Sequence, residues 1–461
     1  MPSRKTSRRF LALTAGMATI TLAACGGSDD GDDGGDAGAG ADVTSNVDCA
    51  AFEEYGDLEG TSVSVYTSII SPEDQPHIDS YVPFEECTGA TVNYEGSREF
   101  EAQLQVRLQA GNPPDIAYIP QPGLIRTIAE GYPDVIQPVG EQAEANVDEH
   151  FDEQWKEYGT VDGSYYGAPL GANAKSFVWY SPSMFEEAGY EIPTTLDELM
   201  ELTETIASEQ ESLPWCAGIE SGSATGWPAT DWLEDMMLRV NGPEVYDQWT
   251  NHEIPFDDPQ VVEALDAAGE ILKNPDYVNG GLGDVRSIAT TGFGDAGLPI
   301  LDGNCWMMRQ ASFYQANWPE DVTVAEDGDV FAFYLPSTSA DDQPLLVGGE
   351  FTVSFSDRPE VEAFQAYLTS PEWSDVKAQT SGPGWVSANR DMDPANLESP
   401  IDQLSYELFA DENTVLRFDA SDLMPAEVGA GTFWSAMTDW IALDESSEDV
   451  LSGVESSWPS E

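Results

Sequence analysis

From residue 61 onward the chain reads as strand, loop and helix in succession, and that order leaves few folds open. Thr61 to Tyr66 alternates Val63 and Val65 with small polar residues, Ser68 to Pro76 reads as a loop, and the amphipathic segment after it ends at Cys87. Thr91 to Tyr94 reads as a second strand, Arg98 to Ala110 as a helix closed by Gly111, and Asp115 to Ile119 as a third strand entering Pro120-Gln121-Pro122-Gly123. Strands alternating with helices build βαβ units and a mainly parallel sheet. Ligands of such open sheets sit beyond the carboxyl ends of the strands, which places the loops at Ser68, Ser97 and Gln121 on one rim.

Tyr165 to Tyr180 is a long extended apolar stretch followed by a helix at Pro182 to Ala188, and the chain is expected to cross to a second lobe there. Thr195 caps a further helix, with Asp197 and Glu198 in its first turn, where the helix dipole favours acids. Helices are also expected from Asp231 to Val240 and from Pro259 to Leu272. A second crossing falls at Leu345 to Ser354, a strand interrupted by Gly348-Gly349. The expected α/β architecture therefore has two lobes discontinuous in sequence, 48–172 with 350–395 and 173–349 with 396–461. No internal repeat at solenoid periods is present.

Upstream, Met1 to Arg9 carries Arg4, Lys5, Arg8 and Arg9, and the apolar run Phe10 to Ala24 ends at Cys25. This is the layout of a signal peptide, and the run is shorter than the ~20 residues a spanning helix needs. Leu22-Ala23-Ala24-Cys25 resembles a prokaryotic lipobox, which makes Cys25 the expected lipidation site on the outer face of the cell membrane. Ser7-Arg8-Arg9-Phe10-Leu11 also resembles a twin-arginine signal, so the export route stays open. Residues 26–47, nearly all Gly, Ala, Asp and Ser, bury too little apolar surface to fold and read as a tether. Of 5 cysteines, Cys25 goes to lipid and four remain in an oxidising compartment. Three connectivities are open to them; the pairing expected is Cys49 with Cys87 and Cys216 with Cys305. None stands in a C-x-x-C pair, which argues against zinc.

The balance of 85 Asp+Glu against 17 Lys+Arg, a formal net charge of -68, excludes nucleic acid as a partner. Such self-repulsion calls for salt to screen it, and a salty habitat is the expected consequence. Phosphate ligands are disfavoured, since four of the few basic residues belong to the export segment. Nor is there a catalytic signature. The 3 histidines, His77, His150 and His252, have no H-E-x-x-H spacing, Gly218 to Gly222 misses the G-x-S-x-G register, and no phosphate cradle or other cofactor motif occurs. Paired carboxylates of the glycosidase kind carry no information among so many acids, so a surface sugar-active enzyme stands as the alternative reading.

The aromatic content is the positive signal. Gly226-Trp227-Pro228-Ala229-Thr230-Asp231-Trp232 sets two indoles around a carboxylate at a helix start. A sugar stacks its C–H face on an aromatic ring and directs its hydroxyls at polar partners, so the pattern suits a saccharide. Trp306, Trp385 and Trp434 stand in comparable Gly-rich or aromatic settings.

Tyr94-Glu95-Gly96-Ser97, Pro120-Gln121-Pro122-Gly123, Lys175 to Tyr180, Pro214-Trp215-Cys216, Ala224 to Trp232 and Val347-Gly348-Gly349 together resemble the extracellular solute-binding proteins of carbohydrate ABC importers, and within them the alpha-glucoside-binding group. Met424-Pro425 with Gly431 to Trp434 is similar to the C-terminal stretch of maltose-binding proteins. The resemblance implies a type II periplasmic-binding-protein fold, with a hinge and an interlobe cleft closing over one sugar. It implies Ser97, Gln121, Trp227, Asp231, Trp232, Gly349 and Trp385 as ligand contacts, with Trp306 and Trp434 as stacking platforms, and Lys175 pairing with an acid at the hinge. It further implies a monomeric receptor without cofactor or metal, whose partners are a sugar and the permease subunits. A same-fold binder of another small solute remains the second alternative.

Overall fold

The computed structural model describes residues 47–279, 283–380 and 384–459. The export segment, Cys25 and the tether up to residue 46 lie outside the described residues.

The first five-stranded sheet begins with Ser62–Thr67, where Val63 and Val65 point into the core. This strand pairs in parallel with Thr91–Gly96 on one side and Ile116–Ile119 on the other. Ile116–Ile119 is buried at every position, as a central strand covered on both faces must be. The sheet is completed by strands from far along the chain: Phe351–Ser354 pairs antiparallel with Ile116–Ile119 and also with Gly167–Pro169. The expected βαβ order holds here, with the helices Val82–Thr88 and Phe100–Gln109 between the parallel strands.

The second five-stranded sheet follows the same plan. Leu213–Cys216 lies parallel to Val278–Asn279 and to Cys305–Arg309, while Phe177–Tyr180 runs antiparallel between Cys305–Arg309 and Phe331–Tyr334. Helices Leu196–Glu209 and Pro259–Leu272 flank it, the former capped by the Thr195 hydroxyl accepting from the Glu198 N–H. The two expected disulfides close: Cys49 and Cys87 have Cα atoms 5.1 Å apart, and Cys216 and Cys305 5.7 Å apart. The second of these joins neighbouring strands.

Between the sheets the chain crosses twice in close company. Asn173–Ala174 pairs antiparallel with Gln343–Gly348, which in turn runs parallel to Thr414–Phe418. The Leu170 N–H donates to the Glu350 carbonyl and the Lys175 N–H to the Leu346 carbonyl, both at 2.8 Å. A side chain at Gly349 would run into the Gly171 carbonyl oxygen, so only glycine lets these crossovers lie together. Two strands bonded side by side allow a small change of backbone angle to swing one lobe against the other.

Candidate functional site

A cavity of about 530 Å³ lies between the two sheets and takes its walls from both. One side supplies Ser68 to Pro72, Glu101, Gln121, Lys377 and Trp385. The other supplies Ser221, Trp227, Phe293, Phe313, Asp422 and Trp434. Glu350 and Lys175 reach it from the crossovers. Four buried polar atoms in this wall, Gln121 Oε1, Trp385 Nε1, Trp318 Nε1 and His77 Nδ1, have no hydrogen-bond partner among the described residues. A solute with many hydroxyls would satisfy them, since buried polar groups left unpaired are costly.

Of the residues singled out in the sequence, Gln121, Trp227, Gly349, Trp385 and Trp434 line the cavity. Trp227 opens the helix Trp227–Met236 instead of preceding it, because Pro228 fits the first turn, where no amide donor is needed. Trp434 is fixed by an indole N–H donated to the Ser421 hydroxyl at 3.2 Å.

The other four candidates are placed outside the cavity wall. Trp232 follows Trp227 by five helical residues and so faces another way, packing edge-on against Trp215 at 5.4 Å. Trp306 lies in the strand Cys305–Arg309, donates its indole N–H to Ser212 at 2.9 Å and packs on Tyr190. Gly303-Asn304-Cys305 reads as a loop in sequence, but the strand starts at Cys305. The Ser97 hydroxyl accepts from the Glu99 N–H at 3.1 Å, and its neighbour Arg98 borders the cavity in its stead. Asp231 is fully buried behind the wall.

Asp231 belongs to a buried charge network that pattern reading did not reveal. Its carboxylate bonds Lys175 Nζ at 3.1 Å and Arg309 Nη1 at 2.8 Å. Lys175 also bonds Asp419, while Asp235 bridges Arg309 at 2.6 Å and Arg239 at 2.6 Å. Burial alone would raise Asp235 and Asp419, yet Arg239 and Arg309 hold the first, and Lys175 the second, below the usual range. Burial, reinforced by the charge of Asp419, pushes Glu234 and Asp422 well above it. Three cations are thereby matched by Asp231, Asp235 and Asp419. Asp231, Glu234 and Asp419 are close enough to hold a metal ion, but Lys175 and Arg309 already supply positive charge there.

The cavity's own acids follow the same trend. Burial raises the carboxyls of Glu101 and Glu350 and lowers the Lys377 ammonium to about 7. Walls whose charges are held toward neutrality suit an uncharged ligand bound by hydrogen bonds and ring stacking. The signal for these residues was their rarity: with 17 basic residues in all, any cation drawn into an apolar segment, such as Arg309, is informative.

Residues 60–374 match the model of the bacterial extracellular solute-binding proteins, and the chain belongs to that family. It is thereby a solute-binding receptor protein and not an enzyme. It is 38% identical, over 88% of its length and 94% of the relative's, to the osmoprotective compounds-binding protein GgtB of Synechocystis sp.. To the alpha-glucosides-binding periplasmic protein AglE of Rhizobium meliloti it is 36% identical, over 90% and 92%. The solved structure of the bacterial solute receptor AcbH superposes with a TM-score of 0.71 at 18% identity, covering 86% of this chain and 97% of that one. Maltose-bound MalE3 of T. maritima does so with 0.65 at 16%, covering 86% and 98%. These superpositions establish the two-lobed type II binding-protein fold. Among the described residues no helix is long and apolar enough to cross a membrane.

Proposed function

We propose that this chain is a lipid-anchored receptor that takes up an alpha-glucoside between its lobes and hands it to an importer's permease. The observation that carries the reading is the indole set Trp227, Trp385 and Trp434 around one interlobe cavity that also holds unpaired polar atoms such as Gln121 Oε1. Gly349 serves at the hinge. The division 48–172 with 350–395 against 173–349 with 396–461 is supported by the way each sheet gathers its strands. Asp231 acts by holding Lys175 at the wall, and the remaining candidates, Ser97, Trp232 and Trp306, support the loops and the core around it.

The similarity to AglE favours an alpha-glucoside such as maltose or trehalose. A second reading, an osmoprotective solute, draws on the similarity to GgtB and on the -68 charge, which suits a salty medium. Calorimetric titration in high salt with maltose, trehalose, sucrose and glycerol 3-phosphate tests the first: one-to-one binding of an alpha-glucoside supports it, and silence from folded protein removes it. Anchoring through Cys25 is tested by Cys25→Ser, which should release the protein into the medium; retention on the membrane would contradict it.

A further inference from the structure

Beside the cavity mouth the two lobes make a built contact. The short helical turn Gly222–Ala224 of one lobe meets the start of the helix Phe100–Gln109 of the other. The Ser223 N–H donates to the Arg98 carbonyl at 3.3 Å, and its hydroxyl has one proton to share between that carbonyl, at 3.1 Å, and Glu101. The same hydroxyl lies 3.1 Å from Glu101 Oε2, while Glu101 Oε1 accepts from the Gln121 amide at 3.4 Å. Gly222 takes φ +59°, and a Cβ there would lie 2.7 Å from the Arg98 carbonyl oxygen, so the turn needs glycine to come this near. Arg98 reaches back toward Glu220 at 3.9 Å, a long and exposed pair that adds little.

We infer that Ser223 and Glu101 form an interlobe latch that holds the cleft shut and sets how slowly the solute leaves. Glu101 is a positioning residue in this scheme: it lines the cavity, bonds the ligand candidate Gln121 and is itself satisfied across the cleft by Ser223. Opening the cleft breaks only protein-to-protein bonds at this point, so the latch works whether or not solute is bound. Water replaces those bonds in the open form, which keeps the net effect modest, roughly 3- to 10-fold in the closed-to-open ratio. Because bonds lost on opening slow departure more than they speed arrival, the effect falls on the dissociation rate. Identifying the departing solute as a saccharide rests on the function proposed above; the latch itself does not.

Nitroxide labels at Asp79→Cys and Glu326→Cys, one on each lobe, report the interlobe distance by pulsed electron resonance without any ligand. The wild-type protein should already populate the short distance. Ser223→Ala should deplete that population about 3- to 10-fold, Gly222→Ala should do the same by pushing the turn away, and Ser223→Thr, which keeps the hydroxyl, should restore it. With maltose as probe, Ser223→Ala should raise the dissociation rate by the same factor and leave the association rate within twofold. A wild type with no short-distance population, or a folded Ser223→Ala variant with the wild-type distribution, overturns the latch. Absence of maltose binding with a shifted distribution overturns the solute assignment alone.

Discussion

The Lys175 ammonium stands 5.3 Å from the centre of the Trp227 indole while bonding Asp231 and Asp419 behind it. A crossover residue, a cavity aromatic and two buried acids are thus tied at one point. A cation over an indole face is itself attractive, and here it also fixes the tilt of the ring a sugar would stack on. Removing the cation takes the ion pair from Asp419 and leaves Asp231 with Arg309 alone. Lys175→Met is expected to cost ~3–5 kcal/mol of unfolding free energy, the usual penalty for breaking a buried pair from one side. Denaturant unfolding in high salt checks it, and a loss under ~1 kcal/mol would show that the acids find other partners.

Asp235 gives the network a pH signature. Its carboxyl is held below the ordinary aspartate value of 3.8 by Arg239 and Arg309, against burial. A depressed folded pKa contributes stability that is fully present above 3.8 and is lost as pH falls through the folded value. Asp235→Asn should therefore be destabilised relative to wild type at pH 7 and nearly as much at pH 5, with the gap narrowing below pH 4. Thermal midpoints of the two proteins across that range provide the check; a gap that does not change with pH would contradict it.

Asp422 lies in the cavity wall with its carboxyl pushed well up by burial and by the charge of Asp419. With its charged form disfavoured there, it is mimicked by asparagine. Asp422→Asn is expected to keep affinity for its solute within about threefold, whereas Asp422→Ala should lose about tenfold, the value of a hydrogen bond left unmade in a buried site. Equal losses in the two variants would mean that the charged form does the binding.

Trp306 separates core from cavity. Trp306→Phe loses the bond to Ser212 and some packing on Tyr190, at ~1 kcal/mol of stability, and should leave affinity unchanged. Trp385→Ala should do the opposite to affinity, weakening it at least tenfold because an indole wall is lost. Paired unfolding and titration measurements on the two variants test the division, and a weakened affinity in Trp306→Phe would return that residue to the site.

Much of the fold was legible because its signals are local. Val63 and Val65 mark a half-covered strand, Thr195 a cap, and the run from Phe177 to Tyr180 a buried strand, and each stands where its pattern says. That the four cysteines after Cys25 pair off was legible for a similar reason, as an even number, whereas the count alone left three connectivities open. The site was readable where an aromatic sits in a Gly-Pro setting, as with Trp227 and Trp385. It was not readable where helical phase decides the direction, so Trp232 and Trp227 looked alike although five residues of helix turn them apart. Pairings across 56 and 244 residues, Lys175 with Asp231 and with Asp419, leave no local trace among 85 acids.

The proposed receptor takes one neutral sugar into one cavity, against Trp227. Calorimetric titration of maltose and trehalose into the purified protein in high salt, wild type beside Trp227→Ala, tests it most directly. The prediction is saturable one-to-one binding of an alpha-glucoside by the wild type, weakened at least tenfold by the substitution, with the thermal midpoint little changed. Binding that survives Trp227→Ala at full strength would contradict the assigned cavity, and a folded wild type silent to both sugars would contradict the assigned solute.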